Sequence, residues 1–108
     1  MENEKKSNDI KVGEIDVELY AKEGKEIPAG HDYIITVDRQ KFKVKEECMT
    51  GSQILKLAGK NPPERFQLNV RLRGGKVTKV GYDEKICFTM PGIEKFMTIP
   101  LDQTEGGK

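Results

Sequence analysis

Thr50-Gly-Ser-Gln-Ile-Leu-Lys-Leu-Ala-Gly59 decides how the rest of the chain is read. Thr50 and Gln53 stand at the S/T-x-x-Q spacing of a capping box. The hydroxyl accepts from the Gln53 N–H while the glutamine side chain reaches back to the Thr50 N–H. Such a cap contributes about 1 kcal/mol. Ile54, Leu55, Leu57 and Ala58 supply an apolar stripe. Gly59 suits the left-handed conformation that ends a helix, and Pro62-Pro63 prevents its resuming. A helix of about two to three turns cannot stand alone in water. It has to lie on something, and the flanking sequence predicts a sheet.

Upstream, Tyr33-Ile-Ile-Thr-Val37 is a β-branched run, and Asp38-Arg39-Gln40-Lys41 reads as a polar turn. Phe42 and Val44 then share a face, so the segment predicts a β-hairpin. Downstream, Phe66, Leu68 and Val70 alternate with Gln67, Asn69 and Arg71 as a third strand. Gly74-Gly75 turns the chain into a short strand over Lys76–Val80. Ile86-Cys-Phe88 reads as either a one-turn helix or a strand end. Pro91-Gly92 marks another turn, and Phe96-Met-Thr-Ile99 is the last strand, closed by Pro100. Hairpin, helix and further strands give an α+β order. One helix across a mixed sheet is the β-grasp architecture, in which the first and last strands lie side by side at the centre.

The ends are patterned differently. Residues 1–32 form a leader: Met1–Asp9 is short and charged, and Ile15, Val17 and Leu19 alternate as a strand. Lys22–Gly30 is rich in breakers and reads as a linker. The leader is either an extra edge strand or a flexible arm. Residues 33–101 make the folded domain, and 102–108 carry no core pattern and form a free tail.

The 19 basic and 18 acidic residues nearly cancel and alternate along the chain, which gives no electrostatic case for a nucleic-acid or anionic-membrane partner. No apolar run approaches the ~20 residues that span a bilayer, and the N-terminus lacks the apolar core of a secretory signal. Cys48 and Cys87 form no CxxC or Cys/His cluster and read as two free, buried thiols, which favours a reducing, cytoplasmic setting. A lone His31 in a loop, with no partner for nucleophilic catalysis, no phosphate loop and no metal-ligand spacing, predicts no enzyme, no cofactor and no metal.

Tyr33 to Gly107 resembles the ubiquitin-like superfamily in length, element order and a terminal Gly106-Gly107. It is more narrowly similar to the bacterial multiubiquitin family. The matching stretches are Tyr33-Ile-Ile-Thr-Val-Asp38, Thr50 to Gly59, Asn61-Pro-Pro-Glu-Arg-Phe66 and Pro91-Gly-Ile-Glu-Lys-Phe-Met-Thr-Ile-Pro100. The last carries the family's PG-x-E-x-F segment. The resemblance implies a protein modifier that acts with an activating enzyme (the user of ATP), a conjugating enzyme, a JAB-type metallopeptidase and target proteins. Such bacterial operons are associated with anti-phage defence. It implies a monomer when alone, and one copy of a domain that many relatives repeat.

On that reading Gly106 and Gly107 are the conjugation site. Without a Cβ the backbone can thread the narrow channels where the carboxylate is adenylated and passed to a cysteine. Lys108 keeps the Gly107 carboxylate in a peptide bond until it is cleaved off. Arg71-Leu-Arg-Gly-Gly75 spells a ubiquitin tail, but Lys76–Val80 follows it, and it reads as a turn. Ubiquitin is recognised on its sheet through an isoleucine on the third strand; the matching position is approximately Gln67. Arg65, Gln67, Asn69 and Arg71 would present a polar, basic face, either for a partner or as ordinary solvated sheet residues. Two other functions fit a β-grasp chain: a sulfur carrier ending in a thiocarboxylate, and an interaction domain that is never conjugated.

Overall fold

The computed structural model describes residues 14–101. Its elements run β1 (Glu14–Asp16), α1 (Val17–Glu23), β2 (Asp32–Val37), β3 (Gln40–Val44), β4 (Cys48–Thr50), α2 (Gly51–Leu57), β5 (Phe66–Leu72), β6 (Val77–Val80), β7 (Lys85–Cys87) and β8 (Ile93–Pro100). The expected hairpin forms from β2 and β3, with Val37 facing Gln40. Its two-residue loop puts Asp38 at φ 49° and Arg39 at φ 71°. Positive φ at both central residues is the type I′ requirement, which matches the strand twist but is normally met by Asn-Gly.

The capping box of α2 is complete. Gln53 N–H donates to Thr50 Oγ1 at 3.2 Å and Thr50 N–H donates to Gln53 Oε1 at 2.9 Å. Gly59 follows the helix at φ 79°; its N–H donates to Lys56 O, and Lys60 N–H donates to Leu55 O. That pair of bonds is a Schellman ending. Ile54 and Leu55 are fully buried against the inner face of the sheet, among Tyr33, Ile35, Leu68 and Phe96. Phe88 fills the space between, edge-to-face with Phe96 at 6.4 Å. The α+β, β-grasp expectation holds.

The main sheet runs β1-β2-β8-β5-β6, with β3 on the other edge of β2. β2 and β8 are parallel neighbours at its centre, joined at Val37↔Phe96. β5 and β6 make the hairpin predicted from Gly74-Gly75, both at φ 94°. The ubiquitin-tail lookalike is therefore a turn. Ile86-Cys87 belongs to β7, which settles the open choice for that segment as a strand. β7 pairs antiparallel with β4 in a separate two-stranded sheet.

Two expectations are corrected. Cys48 and Cys87 are not free thiols: they face each other directly across β4 and β7 and are joined in a disulfide, with a Cα–Cα distance of 3.9 Å. Nor are they fully buried, and the bond removes their support for a reducing compartment. The second correction is in the leader. Ile15 is on a strand, but the strand stops at Asp16, and Val17 and Leu19 belong to α1. Asp16 caps that helix by accepting from Leu19 N–H at 3.2 Å, and Gly24 ends it at φ 70°.

The leader's described part is packed against the domain. β1 pairs parallel with Asp32–Ile34 of β2, on the edge that β8 meets at Val37. Ile15, Val17 and Ile27 join the main core, and Ala21 is buried too. Glu18 accepts from the buried Thr36 hydroxyl at 2.9 Å and pairs with Lys22 at 3.1 Å. Burial, the largest influence on Glu18, raises its pKa. The Thr36 and Lys22 hydrogen bonds, with the charges of Lys22 and Lys41, outweigh it and hold the carboxyl below its usual value.

Candidate functional site: the outer sheet face and the exit strand

Strand alternation sends Leu68, Val70 and Phe96 inward and leaves their neighbours on the outer face. Register then arranges that face in rows. Gln67 faces Ile99, Asn69 faces Met97, and Arg71 faces Lys95. On the far side of β5, Asn69 faces Lys79 and Arg71 faces Val77. The result is a mixed surface: Arg71, Lys79 and Lys95 as cations, with Val77, Met97 and Ile99 as apolar contacts. Val77 and Ile99 are 51% and 48% exposed.

The four residues singled out in the sequence divide. Gln67, Asn69 and Arg71 lie along one face, whereas Arg65 sits on a 3-10 turn, Pro63–Arg65, before the strand begins. Asn69 is only 6% exposed and accepts from Gln67 Nε2 at 3.0 Å, so the two amides are joined along the strand. Arg71 is exposed and holds Glu94 at 3.4 Å. Lys95, Met97, Ile99, Val77 and Lys79 were missed. The alternation of Lys95, Met97 and Ile99 around Phe96 signals a shared face, but only the register sets them beside Arg71.

A cavity of about 340 Å³ opens at the β2–β3 turn, lined by Asp38, Arg39, Arg71, Lys95, Phe96 and Met97. Asp38 is engaged within the fold: its carboxylate accepts from both the N–H and the hydroxyl of Thr98, and faces Lys60 at 3.8 Å. Those bonds pin the turn to the exit strand. At the end of β8, Leu101 N–H donates to Arg65 O at 2.8 Å, and this is the last described anchor before the tail. Gly106, Gly107 and Lys108 lie outside the described residues.

Cys48 is committed to Cys87 and offers no free thiol. Among the described residues no three His, Cys, Asp or Glu side chains are grouped to hold a metal ion, and no helix is long and apolar enough to cross a membrane.

A parallel central strand pair, a capped helix across the inner face and an exit strand running to the C-terminal tail define a ubiquitin-like domain. The multiubiquitin family model matches residues 33–100, from the start of the hairpin to the end of β8. The chain belongs to the multiubiquitin family. No curated protein and no solved structure gives a significant match.

Proposed function

We propose that this chain is a protein modifier, attached to its targets through Gly107. A JAB-type peptidase cleaves between Gly107 and Lys108 and frees the glycine carboxylate. An activating enzyme adenylates that carboxylate with ATP and captures it as a thioester, and a conjugating enzyme passes it to a nucleophile on a target protein. A bacterial anti-phage conjugation operon in the cytoplasm is the setting this implies. One observation carries the reading: a multiubiquitin domain whose last strand ends at Pro100, followed within a few residues by Gly106-Gly107. The slim tail is what a narrow adenylation channel needs.

The test is direct. The chain is incubated with a multiubiquitin-type JAB peptidase, then with the activating enzyme and ATP, and followed by intact-mass spectrometry. Cleavage after Gly107, then an adenylate and a thioester, is the expected sequence of products. A thiocarboxylate would instead mark a sulfur carrier, and no activation would mark a domain that is never conjugated. Lys108 retained in the conjugate would refute the trimming step. Gly107→Ala should block activation without changing the fold.

A further inference from the structure

We propose that the cavity ringed by Arg39, Arg71 and Lys95 docks an acidic segment of a partner protein, one that also carries apolar side chains. This rests on the fold alone and stands whether or not Gly107 is activated. The chain as a whole is nearly neutral, with a formal charge of +1, so a local excess of cations has to be accounted for. Both acids near the cavity are already engaged. Asp38 is bonded to Thr98, and Glu94, with a side chain 13% exposed, faces Arg71. Arg39, Lys79 and Lys95 make no ion pair among the described residues.

Register adds a second, independent argument. Arg71 and Lys95 stand directly opposite each other on neighbouring strands. Like charges at that separation repel, and a sheet keeps such a pair at a cost in stability. Glu94 offsets one of the two. An anionic ligand across the pair would offset the other and gain from both.

The apolar component follows from what surrounds the cations. Met97 lines the cavity, and Val77 and Ile99 flank it on the same face, each of the latter two about half exposed. Buried apolar contact ringed by charge is how protein partners are held. A nucleic acid is the poorer fit. The only aromatic at the cavity, Phe96, is fully buried, so the face offers no ring for base stacking, and four cations make few phosphate contacts.

The probe is a short synthetic peptide in which aspartate and glutamate flank a pair of leucines, titrated into the ¹⁵N-labelled full chain. Amide shifts should map to Arg39, Arg71, Val77–Lys79 and Lys95–Ile99, and affinity should fall at least about tenfold at high salt. Arg39→Glu with Lys95→Glu should lose at least about tenfold in affinity, with an unchanged circular-dichroism spectrum. Lys56→Glu with Lys85→Glu, on α2 and β7, should bind as the parent does. The proposal is overturned by any of four results: no shifts at about millimolar peptide, shifts centred elsewhere, equal binding of the lysine counterpart, or tighter binding of oligothymidylate. Gly107→Ala should bind the peptide normally, so a failure to conjugate and a failure to dock are told apart.

Discussion

Gly51→Ala opposes two effects whose sizes can be worked out. Gly51 opens α2, is buried, and has an ordinary negative-φ helical backbone, so alanine there should favour the helix by roughly 0.5–1 kcal/mol. A Cβ on Gly51, however, would meet the Gly81 carbonyl oxygen at 2.3 Å and the Val80 side chain at 3.3 Å. The obstacle is backbone, and it is pinned. Gly51 N–H donates to Glu84 O at 3.1 Å, Ser52 N–H to Tyr82 O at 3.0 Å, and Gly81 N–H to Glu84 Oε1 at 2.9 Å. Moving the turn far enough to admit a methyl stretches two of these bonds, each worth about 1 kcal/mol. Overpacking adds about 1–3 kcal/mol. The clash wins, with a net loss of about 2–4 kcal/mol, or roughly 10–30 °C in Tm for a domain of this size. Thermal unfolding followed by circular dichroism measures it. Gly59→Ala is the control: nothing lies within 4 Å of its Cβ, so only its φ of 79° resists and the loss should be about 1 kcal/mol. A Gly51→Ala variant as stable as the parent would refute the steric reasoning. So would a loss no larger than that of Gly59→Ala.

Three further outcomes follow from single features. Reducing the Cys48–Cys87 bond, which closes a loop of sequence separation 39, should cost about 2–4 kcal/mol, read as a lower Tm in dithiothreitol than in its absence. Arg39→Gly should raise the urea midpoint by up to about 1 kcal/mol equivalent, because glycine relieves the left-handed backbone of the turn. Glu18 has a folded pKa below its ordinary 4.5, so it stabilises the fold above that pH and ceases to as pH falls through the folded value. Glu18→Gln keeps an acceptor for Thr36 but drops the charge. It should be less stable than the parent at neutral pH, by under about 1 kcal/mol, and the gap should close in acid urea titrations.

What could be read from sequence was local. The capping box, Gly59 and the prolines fix α2 within a few residues, and the β-branched run with its polar turn fixes the hairpin. What could not be read was pairing between distant segments. Nothing in the spacing of Cys48 and Cys87 says that β4 and β7 set them opposite each other. The same holds for the outer face, where Arg71 meets Lys95 only through the β5–β8 register. The leader failed differently. Ile15, Val17 and Leu19 fit a strand, yet Asp16 as N-cap, Glu18 in the first turn and Gly24 at the end are the marks of a helix. Leu19, 42% exposed, shows which pattern governs: Val17 and Ala21, a helical turn apart, are the buried pair.

That helix changes how the exit strand is held. β3 occupies one edge of β2 throughout, so β1 and β8 share the other. β1 takes Asp32–Ile34, and β8 is left a single paired position, Val37↔Phe96, plus the bond from Asp38 N–H to Phe96 O. A β-grasp chain would otherwise secure its last strand along the first. Here that duty passes to β5, paired with β8 from Phe66↔Pro100 to Leu72↔Ile93, and to the Asp38 carboxylate, which takes the Thr98 N–H that a backbone carbonyl would have taken. Asp38 makes this bond from the two-residue turn that leads out of β2, where its own backbone is at positive φ.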